Sequence, residues 1–217
     1  GKPMNTITLQ QVLPQVFADR DRITSDVWHQ SLEWKKGERV LIEAASGTGK
    51  SSLCSYIYGY RNDYQGIICF DGKNIKGLSV DDWVNIRQSS LSMLFQELRL
   101  FPELSAWENV QIKNTLTNFK QKKEIKTWFE ALGIADKWDV PLGKLSFGQQ
   151  QRVALMRALC QPFDFIFLDE PVSHLDEENG RIMAAVLSEE ADKQGAGIVV
   201  TSIGKHLELD YDKTLKL

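Results

Sequence analysis

The chain has 217 residues, enough for one domain with a full-sized core or for one core carrying an inserted subdomain. Apolar residues at 42% and charged residues at 25% are ordinary for a soluble globular protein, and a net charge of −3 without a dominant basic stripe argues against a general nucleic-acid binder. The three cysteines (54, 69 and 160) form no CxxC and cannot all pair, which fits a reducing, cytosolic setting. No apolar run approaches the ~18 residues of a membrane span and no signal peptide opens the chain, so any membrane role must be borrowed from a partner.

From Met4 onward, Thr6 to Val12 reads as a first strand, with Ile7 and Leu9 alternating with polar residues. Phe17 follows in a polar stretch, Val27 to Glu33 alternates again, and Lys36-Gly37 turns into a short apolar strand at Arg39 to Ile42. That strand empties into Ala44-Ala45-Ser46-Gly47-Thr48-Gly49-Lys50-Ser51-Ser52, from which a helix runs through Leu53 and Tyr56 to Tyr58. Strand, small-residue loop and Gly-Lys-Ser at a helix start are the context of a phosphate-binding loop. Gly47 and Gly49 let backbone N–H groups curl round a phosphate at a helix N-terminus. Lys50 then reaches the outer phosphates, and the Ser51 hydroxyl ligates Mg²⁺. The motif lacks the usual first glycine, which is Ala44 here, and an ordinary strand-to-helix turn is the alternative reading.

Gly59 stops the first helix, Gly66 to Phe70 is strand, and Asp71-Gly72 is a hairpin-type turn. Val80 to Arg87 has helical spacing behind a Ser79 cap, and Leu91 to Phe95 is a short strand ending at Gln96. Ser105 to Leu132 then keeps helical spacing, opened by a Ser105–Glu108 capping box and closed by Gly133. Within it, Lys120 to Lys126 is the one basic cluster, read as the wet face of a helix. Trp107 and Trp128 read as core. Strand and helix patterns resume with helix Gly148 to Cys160, strand Phe165 to Leu168, helix Glu177 to Ala191 and strand Ile198 to Thr201. The return places the helical stretch inside an α/β core.

Phe165-Ile166-Phe167-Leu168 delivers Asp169-Glu170 at its C-terminal end, where α/β sheets bind ligands. Asp169 there can hold Mg²⁺ and Glu170 can polarise a water, although a strand and a polar turn account for the pair equally well. The deciding stretch is Leu145-Ser146-Phe147-Gly148-Gln149-Gln150-Gln151-Arg152 before the helix Val153-Ala154-Leu155-Met156-Arg157-Ala158-Leu159. It resembles the Leu-Ser-Gly-Gly-Gln signature of ABC-type ATPases. The phosphate loop, Gln96, Leu100-Phe101-Pro102, Glu108-Asn109-Val110, Asp169-Glu170-Pro171 and Ser173-His174-Leu175-Asp176 fall in that family's order, so the resemblance covers nearly the whole chain.

The resemblance implies a single α/β domain over 4–217: a P-loop NTPase with a RecA-like core sheet, an N-terminal antiparallel β subdomain and a helical subdomain inserted at approximately 97–147. It implies ATP and Mg²⁺ as cofactors, with Ser51, Gln96 and Asp169 at the metal and Glu170 as the catalytic base. Ser146, Gly148 and Gln149 at a helix N-terminus would cap ATP held by a second copy, making a homodimeric sandwich, with Asp176 contacting the opposite chain. Phe17 would stack on adenine, a packed core phenylalanine being the alternative. Gln96's loop and the helical insert would dock on a polytopic membrane subunit, placing the chain on the cytoplasmic face of the cell membrane. No nucleic-acid partner is expected. With nothing after Leu217, the likeness is to short lipoprotein-releasing, antibiotic-efflux or cell-division subunits. Repair or ribosome ATPases of this kind carry a coiled coil or second cassette for which this chain has no room. Two further departures stand out. Phe147 replaces a signature glycine, its ring expected in the dimer interface. Ser202 stands where a histidine contacts the γ-phosphate, so a dimerising sensor with little hydrolysis is the rival function.

Overall fold

Along the central strands, neighbouring side chains point to opposite faces, and this sequence makes both faces apolar. In the computed structural model, which describes residues 2–217, four such strands and one half-exposed edge strand form a parallel sheet. They are β3 (Arg39–Glu43), β6 (Leu91–Leu94), β7 (Phe165–Asp169), β8 (Gly197–Ser202) and β9 (Lys213–Lys216), in the order β6-β7-β8-β3-β9. Phe165, Phe167, Val199, Val40 and Ile42 enter one core. Ile166, Leu168, Ile198, Val200 and Leu41 enter the other.

A second sheet covers the first core. It is antiparallel, with β1 (Thr6–Pro14), β2 (Ser31–Lys35), β4 (Tyr64–Phe70) and β5 (Lys73–Asn74) in the order β2-β1-β4-β5. Helix α1 (Lys50–Ile57) contributes Leu53, Tyr56 and Ile57 to this core, and α2 (Val80–Ser89) packs Trp83 and Ile86 against it. The opposite core takes α5 (Phe147–Leu159), α6 (Glu177–Gln194) and, between β6 and α5, the helices α3 (Ala106–Asn114) and α4 (Lys122–Ala131). Both Ser79 and Ser105 close capping boxes, with Asp82 and Glu108 respectively. Gly195 ends α6 in the left-handed conformation.

The expected alternating strand over Val27 to Glu33 is displaced. Val27 and Trp28 are bound to Ser25, whose Oγ accepts both amides at 3.0 and 2.9 Å. His29 has φ 58°, and the strand runs from Ser31 to Lys35. The turn captures residues whose alternation mimics a strand. The reading of Lys120–Lys126 as a wet face also fails for Lys120, whose ammonium lies 2.7 Å from the buried Glu190 carboxylate. Strand β9 carries no apolar signal strong enough to be read from sequence. It is specified by pairing with β3 from Val40–Lys213 to Glu43–Lys216.

Because all five central strands are parallel, their C-terminal ends share one edge. Glu43, Leu94, Asp169 and Ser202 lie there, and the segments leaving them carry the residues of interest.

Candidate active site

The loop from Ala44 to Gly49 leaves β3 on that edge. Ala44 donates its amide to the Ser202 carbonyl at 2.9 Å and is absent from the residues with positive φ, so its Cβ costs no backbone strain there. Gly49 is different. Its φ is 90°, and a Cβ on it would lie 3.1 Å from the Trp28 ring and 3.3 Å from the Phe17 ring. Trp28 further donates its indole N–H to the Thr48 carbonyl at 2.8 Å, bracing the loop from below. Ala45, Ser46 and Gly47 are exposed, and among the described residues the amides of Ser46, Gly47 and Gly49 have no acceptor within the chain. Open amides beside the N-terminus of α1 form an anion cradle.

Lys50 is buried at the floor of this cradle. Its ammonium contacts Asp169 Oδ1 at 2.5 Å and Gln96 Oε1 at 3.1 Å. Ser51 donates to Asp169 Oδ2 at 3.3 Å, and Thr201 Oγ1 donates to Asp169 Oδ1 at 2.9 Å. Three separate strand ends thus deliver a lysine, a hydroxyl, an amide oxygen and a carboxylate to one point. Hydroxyl, amide and carboxylate oxygens form a hard donor set that suits Mg²⁺, and the lysine sits where a phosphate can replace its carboxylate partner.

Glu170 follows at φ 55°, a strained position for a non-glycine residue, and is 6% exposed. Its amide donates to the Thr201 carbonyl at 2.9 Å, and its Oε1 accepts the Ile203 amide at 2.5 Å. Burial pushes the carboxyl above the ordinary glutamate range. The Ile203 hydrogen bond and then Lys50 pull it back, and Asp169 adds a smaller rise. A carboxylate held so beside the cradle has the character of a general base.

A family profile described as ABC transporter matches residues 28–173, two thirds of the chain, including all of these groups except Phe17 and the β8 residues. The chain belongs to the ABC transporter family. It is an ATPase of the ABC type. Among relatives, it is 30% identical over 99% of its length to the macrolide export ATP-binding/permease protein MacB of Aggregatibacter actinomycetemcomitans, spanning about a third (33%) of that protein. It is 28% identical to the lipoprotein-releasing system ATP-binding protein LolD of Shewanella denitrificans over 100% of this chain and 94% of that one. Among solved structures it superposes on the dimeric ABC transporter cassette MJ0796 with a TM-score of 0.74 and 28% identity, covering 90% of this chain and 87% of that one. A second dimeric MJ0796 structure, in a post-hydrolysis state bound to ADP and Pi, matches over the same shares with a TM-score of 0.73 and 28% identity.

The residues that resemble the signature, Ser146 to Gln149, lie at the start of α5. Ser146 caps the helix by accepting the Gln149 amide at 3.1 Å, while Gln149 accepts the Ser146 amide at 2.9 Å. Gly148 admits no side chain, because a Cβ there would lie 2.6 Å from the His174 carbonyl oxygen. At Phe147 a ring is accommodated, 38% exposed and edge-on to His174 at 4.5 Å. This cluster makes no hydrogen bond to the Lys50–Asp169 group. Ser52 lies on the first turn of α1, its Oγ accepting from Arg61 at 2.9 Å.

Phe17 is 7% exposed in the core between the two sheets, with the Arg20 guanidinium 4.0 Å above its ring. Ser202 is fully buried at the end of β8, and its hydroxyl has no hydrogen-bond partner among the described residues. Sequence reasoning passed over Thr201, Trp28 and Gln151. Only Gln151 left a signal, as a polar residue at core spacing between Gly148 and Leu155. Nothing in the sequence links Trp28 to Thr48 across the intervening strands.

Proposed function

We propose that two copies of this chain sandwich two Mg·ATP molecules and use their hydrolysis to drive membrane-embedded partners. The observation that carries this reading is the convergence of Lys50, Ser51, Gln96 and Asp169 at the C-terminal edge of the parallel sheet, with buried Glu170 next to them. In this reading the amides of residues 44–49 cradle the β- and γ-phosphates, Lys50 leaves Asp169 for the phosphates, and Ser52 lies on the first turn behind Ser51. Ser51, Gln96 and Asp169 hold Mg²⁺. Glu170 takes the proton of the attacking water. Ser146, Gly148 and Gln149 face the ATP of the other copy. Phe17 stacks on adenine once Arg20 swings from its ring. The chain acts as one ATPase domain over 4–217, with 97–147 as its helical subdomain, on the cytoplasmic face of the membrane.

A partner surface supports the membrane reading. A cavity of about 240 Å³ lies between the segment after β6 and α3, lined by Tyr60, Phe95, Arg99, Ile112 and Leu116. Ile112 and Leu116 are 42% and 55% exposed, and Phe101 nearby is 47% exposed. Among the described residues no helix is long and apolar enough to cross a membrane.

The test is sedimentation of a Glu170→Gln chain with and without Mg·ATP. The substitution keeps the shape and removes the base, so ATP is expected to convert monomer to stable dimer. A chain that binds Mg·ATP and stays monomeric overturns the sandwich. The enclosed hydroxyl of Ser202 favours a second reading, a nucleotide-dependent dimer that scarcely hydrolyses. Dimerisation of the unmodified chain without measurable phosphate release identifies that case.

A further inference from the structure

Position 202 offers no donor that could reach a γ-phosphate without rearrangement, since Ser202 Oγ is enclosed. The chain has three histidines. His29 sits in the turn before β2 and is tied through its amide to Val12. His206 turns its Nδ1 towards the Gly204 carbonyl, 3.4 Å away, with its ring near Tyr211. His174 alone lies against the signature, its ring on Phe147 and its carbonyl pressed on Gly148.

A buried glutamine fixes how that imidazole is held. Gln151, 1% exposed, accepts the His174 amide on Oε1 at 3.2 Å. Its NH₂ end therefore faces the other way, donating to Ser173 Oγ at 3.0 Å and to the Glu170 carbonyl at 3.3 Å. Ser173 Oγ, already accepting from Gln151, has its own proton free for His174 Nδ1 at 2.9 Å. With Ser173 as the donor in that contact, the neutral imidazole carries its proton on Nε2. The result is an imidazole held at the start of α5, beside Phe147 and Gly148. The ring that replaces a signature glycine is the surface on which it leans.

We propose that His174 supplies the γ-phosphate hydrogen-bond donor that position 202 lacks, and supplies it to the ATP held by the opposite chain. The inference rests on the sandwich reading above. His174 Nε2–H donates to a phosphate oxygen and keeps its proton. Water still attacks the γ-phosphorus, its proton passes to Glu170, and the bond to the β-phosphate oxygen breaks. His174 stabilises the charge that grows on the transferring group.

The test is single-turnover hydrolysis of radiolabelled Mg·ATP by the full 217-residue chain, alone and in mixtures. Dimerisation of the Glu170→Gln chain on Mg·ATP is measured first. Its absence overturns the sandwich and with it this proposal. With the dimer established, His174→Ala is expected to slow hydrolysis at least about tenfold while ATP affinity stays within about twofold. Excess Glu170→Gln chains, inactive alone but carrying His174, should then restore the rate at sites whose phosphate loop belongs to the His174→Ala chain. Ser173→Ala, which keeps the ring and frees Nδ1, should give an intermediate loss, and it carries the test if the alanine variant does not fold. A parental rate in His174→Ala, or a slow rate that Glu170→Gln chains do not restore, overturns the proposal. The second outcome would assign His174 to its own chain's loop.

Discussion

At the scale of single residues, Lys50 and Asp169 are a buried ion pair. Lys50→Ala removes one partner and leaves a carboxylate that is 1% exposed. Breaking such a pair costs roughly 3–5 kcal/mol. Thr201 and Ser51 still donate to Asp169, so the lower end, about 3 kcal/mol, is expected for the nucleotide-free chain. Thermal melting should show a drop of about 6–12 °C for a domain of this size. Mg·ATP binding should weaken by about 1.5–3 kcal/mol in a titration with a fluorescent analogue, and equal affinity would refute the cradle. Glu170 gives the opposite sign. Burial holds its folded pKa above the ordinary value of 4.5, so the folded state resists its ionisation. Its favourable contribution is present below that ordinary value and is lost as pH rises through the folded pKa. Glu170→Gln keeps an acceptor for the Ile203 amide and removes the charge. It should therefore melt higher than the parent at pH 7, with the difference vanishing as pH falls below about 4.5. Lys50, Gln96, Asp169 and Glu170 stood out in the sequence because chemistry restricts residue type at such positions. Thr201 did not, because a threonine ending an apolar strand also suits plain β-propensity.

At the scale of elements, long apolar periodicities announced themselves and polar staples did not. The continuous apolar runs of β7 and β8 mark buried strands because both faces of the sheet are covered. The Lys120–Glu190 bridge joins the entry to α4 with the last turns of α6. No local pattern shows it, since the two residues are remote in sequence and each looks solvated. Glu190 is 2% exposed and also accepts from Gln194 at 2.8 Å. Glu190→Ala would leave Lys120, whose side chain is 9% exposed, with Glu124 alone at 3.4 Å. We expect a loss of about 3 kcal/mol by chemical denaturation. Glu189→Ala, which breaks an exposed pair with Lys193 at 3.9 Å one residue away, should change stability by less than about 1 kcal/mol. Equal effects of the two changes would deny the bridge any structural role. The misread turn at Val27 and Trp28 has the same origin. Ser25 competes for backbone amides, and a side-chain acceptor outweighs an alternation only a few residues long.

At the scale of the whole molecule, the two cores must exchange information across the sheet if nucleotide at Lys50 is to govern the signature at Ser146. Gln96 is one end of that connection, through its contact with the Lys50 ammonium. Two residues further on, Leu98 and Arg99 take φ values of 62° and 54°, an unfavourable conformation for side chains with a Cβ. Arg157 on α5 donates to both carbonyls, to Leu98 at 2.5 Å and to Arg99 at 2.7 Å. Burial lowers the Arg157 pKa, yet the guanidinium stays charged, so these are charge-assisted bonds that offset the strain. The same helix begins with Phe147 and presents Gly148 to the His174 carbonyl. If Gln96 moves towards a bound γ-phosphate, Arg157 is expected to pass that movement to α5. Arg157→Met keeps much of the apolar stem and deletes both bonds. Amide exchange at residues 97–99 should accelerate, and the nucleotide-free chain should lose about 1.5–3 kcal/mol. Mg·ATP affinity should stay within about twofold, because the cradle itself is untouched. In a Glu170→Gln background, however, the nucleotide concentration needed for half-maximal dimerisation should rise at least about tenfold, corresponding to about 1.4 kcal/mol of lost coupling. Unchanged dimerisation alongside faster exchange would show that the loop and the signature helix respond to nucleotide independently.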